Sequence, residues 1–206
     1  MTRTLKPAAV AALLLAGGLA RADGYLDNPY RLTALVSIGW EIGVPVGSLR
    51  DFASATSIRG GVFEARIGIV RHLSLGLSTT WNWFSKNSSK ETLTFPNSNV
   101  TGAVYQRVQF FTLRATGHWY MTDGPLQPYL GLGLGVAWNN AYREVADVNI
   151  SENGFNFAGD PQLGLLWTVA QGLALNVQAR FQFTLTKFFE VKNAHWLGID
   201  IGMALF

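Results

Sequence analysis

The sequence predicts an all-β fold, an eight-stranded antiparallel up-and-down transmembrane β-barrel. Three observations predict it. Large apolar side chains recur at every second position through eight separate stretches, which is strand periodicity. The positions between them are mostly glycine, alanine, serine, asparagine and glutamine, small groups that suit a narrow interior better than a solvated face. Tight connections alternate with long polar ones, as in barrels with short periplasmic turns and longer extracellular loops.

The first segment reads as an export signal. Arg3 and Lys6 precede an unbroken run of apolar or glycine residues from Ala8 to Ala20, and Ala20-Arg21-Ala22 supplies a small-x-small cleavage pattern. The run is shorter than the ~20 residues a spanning helix needs. The expectation is a cleaved signal peptide over residues 1–22 and a barrel domain over 23–206. The signal holds Arg3, Lys6 and Arg21, so its removal takes the 16 Lys and Arg to 13, against 13 Asp and Glu. A neutral mature chain gives no support to nucleic-acid binding. With no cysteine, a disulfide framework and a lipoprotein anchor are excluded. No Cys/His cluster argues for a metal, and no cofactor is expected.

In chain order, Asp23 to Arg31 is a polar lead-in, and the first strand begins at Leu32. Its apolar face carries Val36, Ile38, Trp40, Ile42 and Val44, and Pro45 sits near its far end, where a missing amide hydrogen costs least. Gly47 to Ser57 is a polar loop. The second strand, about Arg59 to Val70, sets Phe63, Ala65, Ile67 and Ile69 against Glu64, Arg66 and Gly68. Arg71-His72 turns the chain into the third strand, Leu73 to Phe84. Ser85 to Gly102 is read as a long polar loop. The fourth strand, Tyr105 to Tyr120, leads through the turn Thr122-Asp123-Gly124-Pro125 into the fifth, Tyr129 to Trp138. Asn139 to Asn153 is read as loop. The sixth strand, Phe155 to Val169, contains Pro161, which implies a bulge or bend. Ala170-Gln171-Gly172 turns into the seventh strand, Leu173 to Leu185, and Lys187 to Ala194 is read as a final loop. The eighth strand, Trp196 to Phe206, sets Leu197, Ile199, Ile201, Met203 and Leu205 against Gly198, Asp200, Gly202 and Ala204.

The apolar row is expected to face lipid, with Trp81, Trp83, Trp119, Trp138 and Trp167 as interfacial aromatics. Lipid cannot hydrogen-bond a free strand edge, so the sheet must close. The expected location is the bacterial outer membrane. The expected partners are outer-membrane lipid and lipopolysaccharide, the barrel-insertion machinery and periplasmic chaperones. The polar loops could meet an extracellular ligand that composition does not name.

Pro128-Tyr129-Leu130-Gly131-Leu132-Gly133-Leu134-Gly135, Arg59-Gly60-Gly61, Leu73-Ser74-Leu75-Gly76-Leu77 and the aromatic Phe206 carry a family likeness. With the eight amphipathic strands, the chain resembles the small outer-membrane barrels that include the OmpA transmembrane domain and OmpW. That resemblance implies an architecture and no particular activity. The period-two glycines lie within a strand, so they supply lumen space and do not form a nucleotide loop.

Glu41, Glu64, Arg66, Arg114, Arg180 and Asp200 fall on the inward row. A charge in a narrow barrel needs a partner, so these six are expected to form a polar network that plugs the lumen. The expected role is structural or in surface interaction, without catalysis. The alternatives are a narrow pore or carrier for small or apolar solutes, and a lipid A-modifying enzyme. An enzyme needs a nucleophile, a base and an orienting acid within reach. His72 lies in a tight turn, His118 near the periplasmic end of the fourth strand and His195 at the outer end of the eighth. None of the three is read as part of a His-x-Ser arrangement, so no catalytic residue is assigned.

Overall fold

The computed structural model describes residues 34–95, 98–146 and 148–206; the expected signal peptide and the polar lead-in lie outside them. Eight strands follow one another: β1 (Ala34–Val46), β2 (Ser57–Val70), β3 (Leu73–Phe95), β4 (Ser98–Tyr120), β5 (Leu126–Val145), β6 (Val148–Ala170), β7 (Leu173–Phe188) and β8 (Val191–Leu205). Each pairs with the next, and β8 returns antiparallel to β1, closing the ring. Among the described residues no helix is long and apolar enough to cross a membrane.

The register fixes the shape. Partners can be followed once around as Val36, Ala65, Leu77, Ala115, Leu134, Gly159, Phe183, His195 and back to Val46. The path returns to β1 displaced from Val36 to Val46, ten residues along the strand. A stagger of that size over eight strands corresponds to a tilt of about 40°. Side chains of alternate residues then point to lipid or to the lumen.

The outward row is apolar and uncovered on every strand. Ile38, Ile67, Leu77, Leu113, Leu134, Leu163, Phe181 and Ile201 are all exposed. So continuous an apolar surface is stable only against lipid. Trp81, Trp119 and Trp167 are exposed on this face, and Trp83 lies under the Arg107 guanidinium at 4.7 Å. Trp138 is half-buried opposite Phe111. Trp119 and Trp167 pair near the periplasmic turns, with Leu73 and Leu126. The others stand toward the far side.

The outer connections differ from the sequence reading. Ser85 to Gly102, Asn139 to Asn153 and Lys187 to Ala194 are expected as loops, but β3 to β8 continue through most of these residues as paired ribbons. Beyond the bilayer the outward face no longer meets lipid, so the strict apolar alternation fades while the backbone ladder persists. The first outer connection contains a short helix, α1 (Ser48–Phe52), whose Leu49 and Phe52 are buried. Pro161 does not produce a bulge. The β6–β7 register is the same at Gly159–Phe183 and Gln162–Arg180, and only the intervening ladder is interrupted. Proline removes a donor without leaving the strand region of φ.

The lumen has three storeys. At the outer end an apolar cluster joins α1 residues Leu49 and Phe52 with Phe84, Phe110, Phe188 and Trp196. At the periplasmic end Leu35, Tyr120, Tyr129, Leu166, Ala174 and Ala204 form a second cluster, with Phe206 packed against it. Between them lies the polar layer. The aromatic storeys are absent from the sequence reading, although Phe84, Phe110 and Trp196 share the inward parity of the polar row.

Candidate functional site

The six inward charges predicted from sequence all point into the middle storey and are buried. Arg180 is its hub. Its Nε donates to Asp200 Oδ2 at 2.6 Å, Nη1 to Asp160 Oδ2 at 3.1 Å and Nη2 to Glu64 Oε2 at 3.3 Å. Arg66 donates to Glu64 Oε2 at 2.8 Å and to the Tyr129 hydroxyl at 3.1 Å. Arg114 lies 3.1 Å from Asp160 Oδ2 and donates to Thr80 and Gln182. Asp160 and His118 complete the layer; sequence reasoning passed over both as network members. Asp160 shares its parity with Gln162 and Gly164, so the signal was there. The layer thus sets three guanidiniums against four carboxylates, Glu41, Glu64, Asp160 and Asp200. Glu41 has no ion pair among the described residues. Its Oε1 accepts from Asn82 Nδ2 at 2.6 Å, from Trp196 Nε1 at 3.3 Å and from Gln182 Nε2.

The small residues of the inward row make this layer possible. A Cβ on Gly133 would overlap Asp160 Oδ1, and one on Gly164 would overlap the Tyr129 ring. Larger side chains there would expel the groups that neutralise the guanidiniums.

The three histidines separate. His118 Nε2 lies 3.2 Å from Glu64 Oε1 and 3.0 Å from Gln162 Oε1, with its ring edge-on to Tyr129. Ser74 stands directly opposite on β3. Ser74 Oγ and His118 Nδ1 each lack a hydrogen-bond partner, so the serine, imidazole and carboxylate are adjacent but not joined in series. They sit in the periplasmic half of the lumen. His72 is in the β2–β3 turn, 3.6 Å from Asp123. His72-Leu73-Ser74 does carry the His-x-Ser spacing that the sequence reading denies to all three histidines, but the Ser74 hydroxyl makes no bond to it. His195 alone faces lipid near the outer boundary, stacked on Phe181 at 5.9 Å with Nδ1 unpartnered.

The outer mouth is built from α1 and the β7–β8 hairpin. Arg143 forms a two-pronged ion pair with Glu190, at 2.8 and 3.1 Å, while its guanidinium lies 5.7 Å over Phe52 and 5.4 Å over Phe189. Lys86 Nζ donates to the Asp51 carbonyl at 2.7 Å, tying α1 to β3. A cleft of about 240 Å³ lies among these groups. Among the described residues no group of three or more acidic, His or Cys side chains could hold a metal ion.

The closed ring, the lipid-facing apolar row and the plugged lumen define a small eight-stranded outer-membrane barrel. The crystal structure of Neisserial surface protein A shares this fold. It matches with a TM-score of 0.56 and 15% identity, over 84% of this chain and 96% of that one. Ail from Yersinia pestis matches with a TM-score of 0.49 and 11% identity, over 85% and 99%. Escherichia coli outer membrane protein W gives 0.44 and 12%, over 85% and 98%. No curated protein matches the sequence significantly. The family model for lipid A 3-O-deacylase, PagL, matches residues 71–184, more than half of the chain. The chain belongs to that family, and it is a bacterial outer-membrane protein.

This match overturns the expectation of a barrel without catalysis. That expectation rested on the absence of a legible triad, and a triad is assembled by folding from distant strands, so its absence from local spacing carries little weight.

Proposed function

We propose that the barrel acts on lipid A at the outer leaflet, hydrolysing the ester of its 3-O-acyl chain. The observation that carries this reading is the lipid A 3-O-deacylase match over residues 71–184. In the reaction, water adds across the acyl carbon–oxygen bond, releasing a fatty acid and leaving a hydroxyl on the sugar. A base must take a proton from the attacking oxygen, and the departing alkoxide must receive one.

The position of His195 supports a part in that proton transfer. It is on the lipid face, its ring is held against Phe181, and Nδ1 has no hydrogen-bond partner. Lipid A occupies the outer leaflet, whereas Ser74, His118 and Glu64 lie inside the lumen, below the outer aromatic cluster of Phe84, Phe110 and Trp196. An ester at the outer boundary does not reach them, so they are assigned to the lumen network.

The test is mass spectrometry of lipid A from cells producing the wild-type protein, His195→Gln, or neither. The wild type is expected to remove one acyl chain and the variant to leave it in place. Unchanged lipid A with folded wild-type protein in the membrane overturns the deacylase reading. Full activity in His195→Gln removes only the role given to that residue.

A further inference from the structure

On the β7–β8 hairpin, Lys187 and Lys192 are directly opposed partners, and both are exposed. Side chains of such a pair have Cβ atoms roughly 5 Å apart, and like charges there repel. Neither lysine has an ion pair among the described residues. The nearby carboxylates are engaged elsewhere, since Glu190 holds Arg143 and Glu152 accepts from the Phe189 amide at 3.0 Å. Two unneutralised ammoniums placed face to face are a poor choice for stability and a good one for holding an anion.

Their height identifies the anion. The outward row of β7 runs Leu173, Leu175, Val177, Ala179, Phe181, Phe183, Leu185 and then Lys187. At about 3.4 Å per residue and a 40° tilt, Leu173 to Leu185 rises roughly 30 Å, which exhausts the apolar band. The lysines therefore stand where acyl chains end and lipid headgroups begin. Beside them the wall is open. The β6–β7 ladder stops at Ala158–Thr184 although β6 begins at Val148 and β7 continues to Phe188. The strands part around a polar cleft of about 210 Å³, lined by Asn139, Glu152, Asn156, Thr186 and Lys187 among others. Phe155 and Phe157 flank it on the lipid side, exposed.

We propose that Lys187 and Lys192 clamp a phosphate of a lipid A headgroup whose sugar lies against this cleft and whose acyl chains follow Phe157, Phe183 and Leu185. The choice of lipid A rests on the function proposed above; the phosphate clamp rests on the lysine pair and its height. The clamp fixes a glycolipid beside His195, which pairs with Phe183 two outward rows nearer the bilayer centre.

The test is equilibrium titration of the full-length protein in detergent micelles with bisphosphorylated lipid A, with chemically dephosphorylated lipid A, and with inorganic phosphate. The wild type is expected to prefer the bisphosphorylated form by roughly tenfold or more, the worth of one or two charge-assisted contacts. Lys187→Gln/Lys192→Gln should lose that preference, whereas Arg71→Gln at the periplasmic turn should keep it. The double variant should melt at an unchanged or higher temperature in lipid-free micelles, because a repulsion is removed. A merely structural role predicts the opposite. Equal binding of dephosphorylated lipid A, retained preference in the double variant, or saturation of the pair by inorganic phosphate each overturns the proposal. Binding is read here without turnover, and His195→Gln should keep the phosphate preference, so failure of the clamp and failure of the hydrolysis are told apart.

Discussion

Replacing Arg180 with methionine tests the reasoning about the lumen most directly. The substitution keeps most of the buried volume and removes one cation that touches three carboxylates, Asp200, Asp160 and Glu64. Glu64 keeps Arg66 and Asp160 keeps Arg114, but Asp200, opposite Glu41, is left with no guanidinium among the described residues and with the Gln178 amide at 2.9 Å. Three charge-assisted contacts at about 1.5–3 kcal/mol each give a gross loss of roughly 4–9 kcal/mol. Partial rescue by the remaining arginines brings the expectation to about 3–5 kcal/mol, the usual cost of breaking a buried pair. The assay is urea unfolding in lipid vesicles, followed by tryptophan fluorescence and by the gel migration of the folded barrel. Arg180→Met/Asp200→Asn should recover part of the loss, since the stranded charge is then gone. A single-variant loss below about 1 kcal/mol, or no recovery in the double variant, would refute the view that mutual neutralisation holds this layer together.

Two further outcomes follow from the same geometry. Glu41→Gln should change stability by less than about 1 kcal/mol in that assay, because Glu41 has no guanidinium partner and an amide can still accept from Asn82 and Trp196. Gly133→Val should destabilise by about 2 kcal/mol or more and slow assembly into vesicles, since its side chain would displace Asp160 from the arginines.

Lipid made much of the fold legible. Wherever one face of a strand meets acyl chains, the alternation is strict, as in Leu173 to Leu185, and the strand can be placed by inspection. Above the boundary, Ser85 to Phe95 still pairs with β4, with one register shift between Ser88 and Glu91, but no lipid meets the outward face and no alternation marks the strand. The lumen was half legible. Parity found Glu41, Glu64, Arg66, Arg114, Arg180 and Asp200, and the same parity applied to β6 would have added Asp160. The aromatic storey was missed because Phe84, Phe110 and Trp196 continue a row whose other members are polar, and only the α1 turn above them shows why apolar groups are wanted there. The lipid-facing histidine, the lysine pair and the parted strands depend on pairing between β6, β7 and β8, which no single stretch encodes.

The ring also sets a schedule. β1 and β8 share eleven opposed positions from Val36–Leu205 to Val46–His195, yet these partners stand nearly the whole barrel apart in sequence. Until they meet, two strand edges are open, and a bilayer offers those amides and carbonyls nothing. No half-built sheet is therefore a resting place, and the contacts that make the structure tolerable arrive last. Such a barrel must be kept from the membrane, or held at its edges by something else, until the ring can shut as a whole.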